Sequence, residues 1–280
     1  MYDLTIYTDE ELKKIQMLEL GCLKAIIDVC QKIGVEYFLI GGSALGAVRH
    51  GGFIPWDDDI DIGMTRKNYS KFIDMAPQYL PENYHLQSPY SGDNNPYYYS
   101  KIRIDGTQFV EYCNRKVNMH QGVYVDIFPF DEVPNNDDEN RIQFETFQKL
   151  IRKFSLRQSP DVSSEPKSVE EKVRSVFRKF LHRLYRLKNY EKLLNDLNDI
   201  VTKYNGTGQE AIACLNFPNR KKEYIKKTDL YPLKDIFFED ITVKIPNNYD
   251  TYLRTHYDDY MKLPPENQRY GHKPYKIYLG

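Results

Sequence analysis

Asp57, Asp59 and Asp61 alternate with Asp58, Ile60 and Ile62 in the run Trp56-Asp57-Asp58-Asp59-Ile60-Asp61-Ile62-Gly63, shortly after Gly41-Gly42-Ser43. Side chains two apart on an extended strand leave the same face. The three carboxylates therefore project together, while Ile60 and Ile62 turn toward a core. Carboxylates this close repel one another and raise each other's pKa unless a cation neutralises them. A strand that spends one face on acids is most simply explained by a divalent metal. An oxygen-only donor set points to magnesium, with manganese as the alternative, and magnesium is commonly held by one or two carboxylates plus substrate phosphates.

The surrounding pattern gives this run its setting. Thr8 followed by Glu11 spells a capping box, and Leu12, Ile15, Leu18, Leu20, Leu23, Ile26, Ile27 and Cys30 continue a helical stripe as far as Gly34. Val35 to Ile40 reads as a buried strand ended by Gly41-Gly42. Ser43 is placed to cap a short helix carrying Ala44, Leu45, Ala47 and Val48, which His50-Gly51-Gly52 breaks. Tyr97 to Ile104 and Thr107 to Tyr112 read as a hairpin across Asp105-Gly106. Gly122 to Phe130 reads as a strand with Val123, Val125 and Ile127 on one face and Tyr124, Asp126 and Phe128 on the other.

Asp131 to Asn140, acidic and proline-containing, is expected to divide a core (residues 1–135) from a mainly helical lobe and C-terminal segment (residues 136–280). The two parts are expected to form one integrated domain. Val169 to Tyr204 reads as a long helical segment with an apolar stripe at Val173, Val176, Phe177, Phe180, Leu181, Leu184 and Leu187. Between Ser168 and Lys188 seven basic residues stand against two acids. Ile236 to Ile245 reads as short strands, and Leu263-Pro264-Pro265 belongs to a proline-rich tail.

Bulk properties exclude several classes. A net charge of −1 gives no electrostatic case for nucleic-acid binding. No stretch approaches the roughly 20 apolar residues of a membrane span, and Met1 to Thr5 lacks the basic-then-apolar pattern of a secretion signal. Cys22, Cys30, Cys113 and Cys214 show no paired spacing, so they read as reduced thiols of a cytoplasmic protein. Any membrane contact is then peripheral, at the inner face.

Familiar motifs fit poorly. Gly41 and Gly46 are spaced like a P-loop, but Ala47-Val48 stands where Lys-Ser/Thr is required. Ser43 has Leu45 where a nucleophile elbow needs glycine. Asp57, Asp59 and Asp61 mimic a calcium loop, yet Ile62 and Asn68 occupy its glycine and glutamate positions.

What remains is strand, Gly-Gly-Ser turn, short helix and an Asp-Ile-Asp strand, an arrangement that resembles a nucleotidyltransferase-type core. Such a core adds a third carboxylate from a neighbouring strand, for which Asp126 is the candidate. The run Phe38-Leu39-Ile40-Gly41-Gly42-Ser43-Ala44-Leu45-Gly46-Ala47-Val48-Arg49-His50-Gly51-Gly52-Phe53-Ile54-Pro55-Trp56-Asp57-Asp58-Asp59-Ile60-Asp61 is similar to the signature of the LicD family, which is related to the fukutin-type transferases. Tyr99-Ser100-Lys101-Ile102-Arg103, Val125-Asp126-Ile127-Phe128-Pro129 and Tyr260 to Arg269 extend the resemblance.

The resemblance implies an α+β fold: a nucleotidyltransferase-like mixed β-sheet core with flanking helices and an appended mainly helical lobe. It implies transfer of phosphocholine from a CDP-linked donor, CDP-choline first among them, to a glycan or lipid-linked glycan, releasing CMP. Asp59, Asp61 and Asp126 would be catalytic, and with Asp57 would hold metal. Gly41, Gly42, Ser43, Arg49, Lys101, Arg103, Arg269 and His272 would contact substrate. Choline, ethanolamine, ribitol or glycerol phosphate could use the same acids. True nucleotidyl transfer and an inactive carbohydrate-binding protein are the rival readings.

Blander roles stand beside these. The acids could form a solvated turn, with Asp57 as an outer partner, Asp58 facing solvent or supporting the ligands, and Asp126 as a strand-end cap. Gly41, Gly42 and Ser43 could be a plain turn and cap, and Arg49 and Lys101 ordinary ion-pair partners. Trp56 and Tyr97 to Tyr99 could cage a quaternary ammonium or simply pack in the core. The basic helix could be a solvated face or could rest on anionic headgroups.

Overall fold

A capping box starts the first helix as its sequence requires. In the computed structural model, which describes residues 7–92 and 94–280, Thr8 N donates to the Glu11 carboxylate at 2.7 Å and Glu11 N to Thr8 Oγ1 at 3.2 Å. α1 (Asp9–Ile33) ends where Gly34 turns left-handed at φ 62°. The stretch Met1 to Thr5, read for a secretion signal, lies outside the described residues.

Chain order continues with β1 (Phe38–Leu39), α2 (Gly41–His50), β2 (Asp61–Thr65), α3 (Arg66–Met75), β3 (Tyr84–Gln87), β4 (Ser100–Ile104), β5 (Gln108–Val110) and β6 (Tyr124–Val133). Three helices follow: α4 (Asp137–Gln158), α5 (Val169–Tyr185) and α6 (Tyr190–Thr202). The last part comprises β7 (Ala211–Ala213), β8 (Tyr224–Lys226), α7 (Lys227–Leu230), β9 (Lys234–Phe238), β10 (Ile241–Ile245), α8 (Tyr249–Tyr257) and β11 (Lys276–Tyr278).

The main sheet runs β1-β2-β6-β4-β3 and is mixed. β2 and β6 are parallel; β1–β2, β6–β4 and β4–β3 are antiparallel. The far half of β6 pairs with β7, and β7 with β8. α1 and α3 pack on this sheet, and α1 buries Ile15, Leu20, Leu23 and Ile26. Each such side chain contributes about 1.5–3 kcal/mol by leaving water. A second apolar cluster joins α4 and α6 to the end of β6 through Phe147, Phe154, Leu194, Leu197 and Val133. The expected α+β architecture, a mixed sheet with flanking helices and a mainly helical lobe, is what the chain adopts.

Several local expectations fail. The hairpin across Asp105-Gly106 does not form: β4 already has β3 and β6 on its two edges, so β5 pairs instead with β11. The strand expected at Val35 to Ile40 shortens to Phe38–Leu39, and that of the acid run begins only at Asp61. The long helical segment breaks into α5 and α6 around Arg186 to Asn189, because Asn189 caps the second helix by accepting from Lys192 N. Among the described residues no helix is long and apolar enough to cross a membrane.

Candidate functional site

Strand register sets three charged groups side by side. Asp61 of β2 is the partner of Asp126 on β6, and Asp126 is the partner of Lys101 on β4. Lys101 Nζ lies 2.7 Å from Asp126 Oδ1 and donates to Oδ2 at 2.9 Å. Asp126 therefore joins the acid run, as its strand position required.

Ahead of β2, the extended segment from Asp57 keeps the alternation. Asp57, Asp59 and Asp61 are half-exposed, whereas Asp58, Ile60 and Ile62 are buried. The acids lie against the start of α2. A Cβ on Gly42 would stand 2.7 Å from Asp57 Oδ2, and one on Gly41 would stand 3.5 Å from Asp61 Oδ2. Gly41 also has φ 52°, a conformation that side chains resist. Ser43 does not cap the helix; Ile40 holds the cap position, and Ser43 Oγ accepts from Asp61 N at 2.8 Å. The hydroxyl thus pins α2 to the acid-bearing end of β2.

Asp58 faces inward, as parity requires, but not to solvent. It accepts Tyr7 Oη at 2.6 Å, the His272 backbone N–H at 2.9 Å and, from the same residue, imidazole Nδ1 at 2.9 Å. The tail is thereby fastened against the acid run.

Burial first, then neighbouring carboxylates, raise Asp57 and Asp61 well above the usual carboxylate range. Burial also raises Asp59, against the pull of His272. Asp126 is pushed up to about 6 by burial, with Lys101 holding it down. For His272, burial works against the charge, yet the bond to Asp58 and the charges of Asp59 and Asp58 push it up to about 10. Acids that raise one another's pKa form a site short of positive charge. Lys101 answers both oxygens of Asp126, whereas Glu19 Oε2 is buried without a hydrogen-bond partner. Such an oxygen-rich set fits a hard divalent ion.

Asp58, Asp59 and His272 bring one donor atom each within 4.8 Å of one another, a grouping able to hold a metal ion. Asp58 and His272, however, already spend their facing atoms on each other. The carboxylates that reach the open space beside them are Asp57, Asp59 and Asp61, while Asp126 is held by Lys101.

A cavity of about 690 Å³, in the range of small-molecule sites, opens over Asp57, Asp59 and Asp61, and Asp126 is not among its lining residues. Gly42, Arg49, Trp56, Asp57, Asp59, Asp61 and His272 line it, together with Tyr257 to Tyr260 and Lys262 to Pro265. Of the expected substrate contacts, Gly42, Arg49 and His272 thus reach the cavity. Arg269 sits beside it, its guanidinium 5.3 Å over the Trp56 ring and its Nε on Pro264 O.

Lys101 and Arg103 do not line it. Lys101 is held by Asp126 and by the rings of Tyr124, Tyr97 and Tyr99 at 3.4, 4.7 and 5.3 Å. Tyr97 and Tyr99, weighed as a ligand cage or as core packing, thus join Tyr124 in enclosing the protein's own ammonium. Arg103 is buried on Gln87 and Gly122 O, and Tyr98 packs on Phe147.

Sequence reasoning missed several partners. Glu19 is buried under the cluster, raised by burial and by Asp59; its clue was an acid on the core face of α1, four residues after Ile15. Tyr252 Oη accepts from Gly41 N at 2.7 Å and donates to Glu223 at 3.1 Å. Nothing local in the sequence signals that link.

Residues 34–157 match the family described as LicD/FKTN/FKRP, nucleotidyltransferase domain. The chain is 30% identical over 276 residues to the lipopolysaccharide cholinephosphotransferase LicD of Haemophilus influenzae, covering 96% of this chain and 98% of that protein. A shorter stretch of 50 residues is 48% identical to the ribitol 5-phosphate transferase FKRP of Homo sapiens, 15% of this chain and 10% of that one. An uncharacterised protein of Rickettsia typhi is 33% identical over 81 residues, 29% of this chain and 26% of that protein.

Proposed function

The chain belongs to the LicD family of phosphate-group transferases, and from that premise we propose a metal-dependent transfer of phosphocholine from CDP-choline to a hydroxyl of a cell-surface glycan precursor, with release of CMP. The observation that carries the reading is the row Lys101, Asp126, Asp61 in strand register, whose Asp61 end opens into the cavity lined also by Asp57 and Asp59. Asp59, Asp61 and Asp126, with Asp57 beside them, would hold magnesium, or manganese in its place. The chemistry such a group would supply there is positive charge against the negative charge that grows on the leaving phosphate.

The protein's own groups do the rest. The first intrahelical bond of α2 runs from Ala44 N to Ile40 O, so Gly42 and Ser43 N–H lie in the first turn, where a helix attracts phosphate. Arg49 adds a cation on the cavity wall. Trp56, Tyr257, Tyr260, Asp258 and Asp259 give the mouth aromatic faces and carboxylates suited to a quaternary ammonium. As the acceptor oxygen bonds to phosphorus, the bond to the CMP oxygen breaks. CMP leaves with that electron pair, and Asp126 takes the hydroxyl proton.

Residues 1–135 and 136–280 act as one unit in this reading, since His272 and Tyr257 line the cavity with Asp59. Free thiols at all four cysteines suit a cytoplasmic setting. The test is a screen of CDP-linked headgroups with magnesium and glycan acceptors. CMP release greatest with CDP-choline supports the reading. A nucleotide-tagged acceptor with pyrophosphate would instead identify nucleotidyl transfer, and sugar binding without turnover would leave only a binding protein.

A further inference from the structure

α5 is turned the wrong way round for a helix on a water-soluble surface. A surface helix ordinarily buries its apolar stripe and shows its charges to water. Here the buried and half-buried side is polar. Ser175 is buried, Arg178 Nη2 donates to Ser155 Oγ at 3.1 Å and to Ser159 O at 3.2 Å, and His182 Nδ1 meets Leu156 O at 2.9 Å. The opposite side carries Val169, Val173, Val176, Phe177, Phe180 and Leu184, of which Val176 is 67% and Phe177 58% exposed. At 3.6 residues per turn these six fall within an arc of about 100°.

Lys172, Lys179 and Arg183 run along one border of that arc, while the other carries Glu170 paired with Arg174 at 2.5 Å. Behind the helix, a cavity of about 390 Å³ is lined by Lys116, Arg157, His182 and Arg186, with no carboxylate among its described lining residues. An apolar stripe bordered on one side by a row of cations and backed by more matches the interface of a bilayer carrying negative headgroups. Antiparallel pairing with a second copy would bring the Lys172, Lys179 and Arg183 border against itself, which disfavours it.

We infer that α5 docks this protein on an anionic lipid surface, its apolar face entering the headgroup–acyl boundary and its basic border contacting lipid phosphates. The inference is independent of the phosphotransfer reading, because α5 contributes no residue to the catalytic cavity.

The experiment is flotation of the full chain with vesicles of phosphatidylcholine alone or mixed with phosphatidylglycerol. Partition into mixed vesicles should exceed that into neutral ones by about tenfold or more and fall with salt. Phe177→Ser with Phe180→Ser should reduce it about tenfold or more, as should Lys172→Glu with Arg183→Glu. Arg178 is left intact, since its side chain holds α5 to α4. The substituted side chains already face water, so thermal melting should be unchanged. If the phenylalanine pair does melt earlier, the charge-reversal pair alone decides. No partition by the unaltered chain, or partition indifferent to both variants, overturns the inference. So does a dimer, seen by light scattering, that the phenylalanine variant dissolves while vesicle binding persists.

Discussion

Lys101 and Asp126 face each other across β4 and β6 with ammonium and carboxylate 2.7 Å apart, and both side chains are almost wholly buried. Two charges taken from water at this depth persist only because each answers the other and three tyrosine rings close over the lysine. The pair also fixes where the central strand of the sheet presents its acid. Stability and the proposed chemistry therefore meet at one contact.

Lys101→Met should destabilise the fold by about 3–5 kcal/mol, since it leaves Asp126 buried without its cation. Urea denaturation measures the loss. Lys101→Met combined with Asp126→Leu should recover most of it while remaining inactive. If the double variant is no more stable than the single, the uncompensated charge is not the cause.

Asp59→Asn and Asp61→Asn should each reduce turnover by about 100-fold or more. Without divalent ions, the same variants should melt no lower than the unaltered chain, because a buried repulsion has been removed. CMP release and metal-free thermal melting check the two halves. A wild-type rate in either variant removes that carboxylate from the reaction.

Magnesium should raise the melting temperature through preferential binding to the folded state, by about 2.7 kcal/mol at a hundred times its Kd. Gly42→Ala should blunt this response with little change in the metal-free melt, as a Cβ 2.7 Å from Asp57 Oδ2 displaces a side chain and not backbone. Gly41→Ala should instead cost about 1–2 kcal/mol outright, because its φ of 52° is left-handed. Equal magnesium responses in Gly42→Ala and the parent chain would separate Asp57 from the metal.

Stability should depend on pH through Glu223, pushed up to about 8 by burial, and His256, pushed down to about 4 by burial. The two face each other at 3.3 Å, with Tyr252 and Lys222 as their neighbours. Folded Glu223 keeps a proton that the unfolded chain gives up near 4.5, so its contribution falls as pH rises toward 8. Folded His256 refuses a proton that the unfolded chain takes near 6.5, so its contribution falls as pH drops below that value. The two slopes oppose each other at lower pH. Between about 6.5 and 8 His256 drops out and Glu223 acts at up to about 1.4 kcal/mol per pH unit, in the same direction as His272, which is pushed up to about 10. Across this interval the fall in stability, read from denaturation curves, should become shallower in Glu223→Gln, the remaining slope belonging to His272.

Much of the site was readable where one periodicity governed it. The period-two pattern separated Asp57, Asp59 and Asp61 from Asp58 and Ile60, and an acid between Val125 and Ile127 marked Asp126. The capping box and Gly34 bounded α1. What stayed hidden depended on distant pairing. Asp105-Gly106 supplies a good turn, but competition from β3, β6 and β11 decides which edges meet. Lys101 and the tyrosines looked like ligand contacts because composition does not say whether a cage already has an occupant. The stripe on α5 was visible as a stripe; only the fold tells which side faces out.

Asp58 and His272 are 214 positions apart, and a Cβ on Gly271 would lie 2.5 Å from Asp58 Oδ1. On the ribosome, the acid run is therefore made long before the segment that clasps it. A nascent chain halted in the helical lobe would carry its carboxylates with neither the imidazolium nor the tail wall. A chain that stops short of His272 should thus be inert, because the clasp on Asp58 and one wall of the cavity come from the segment around it.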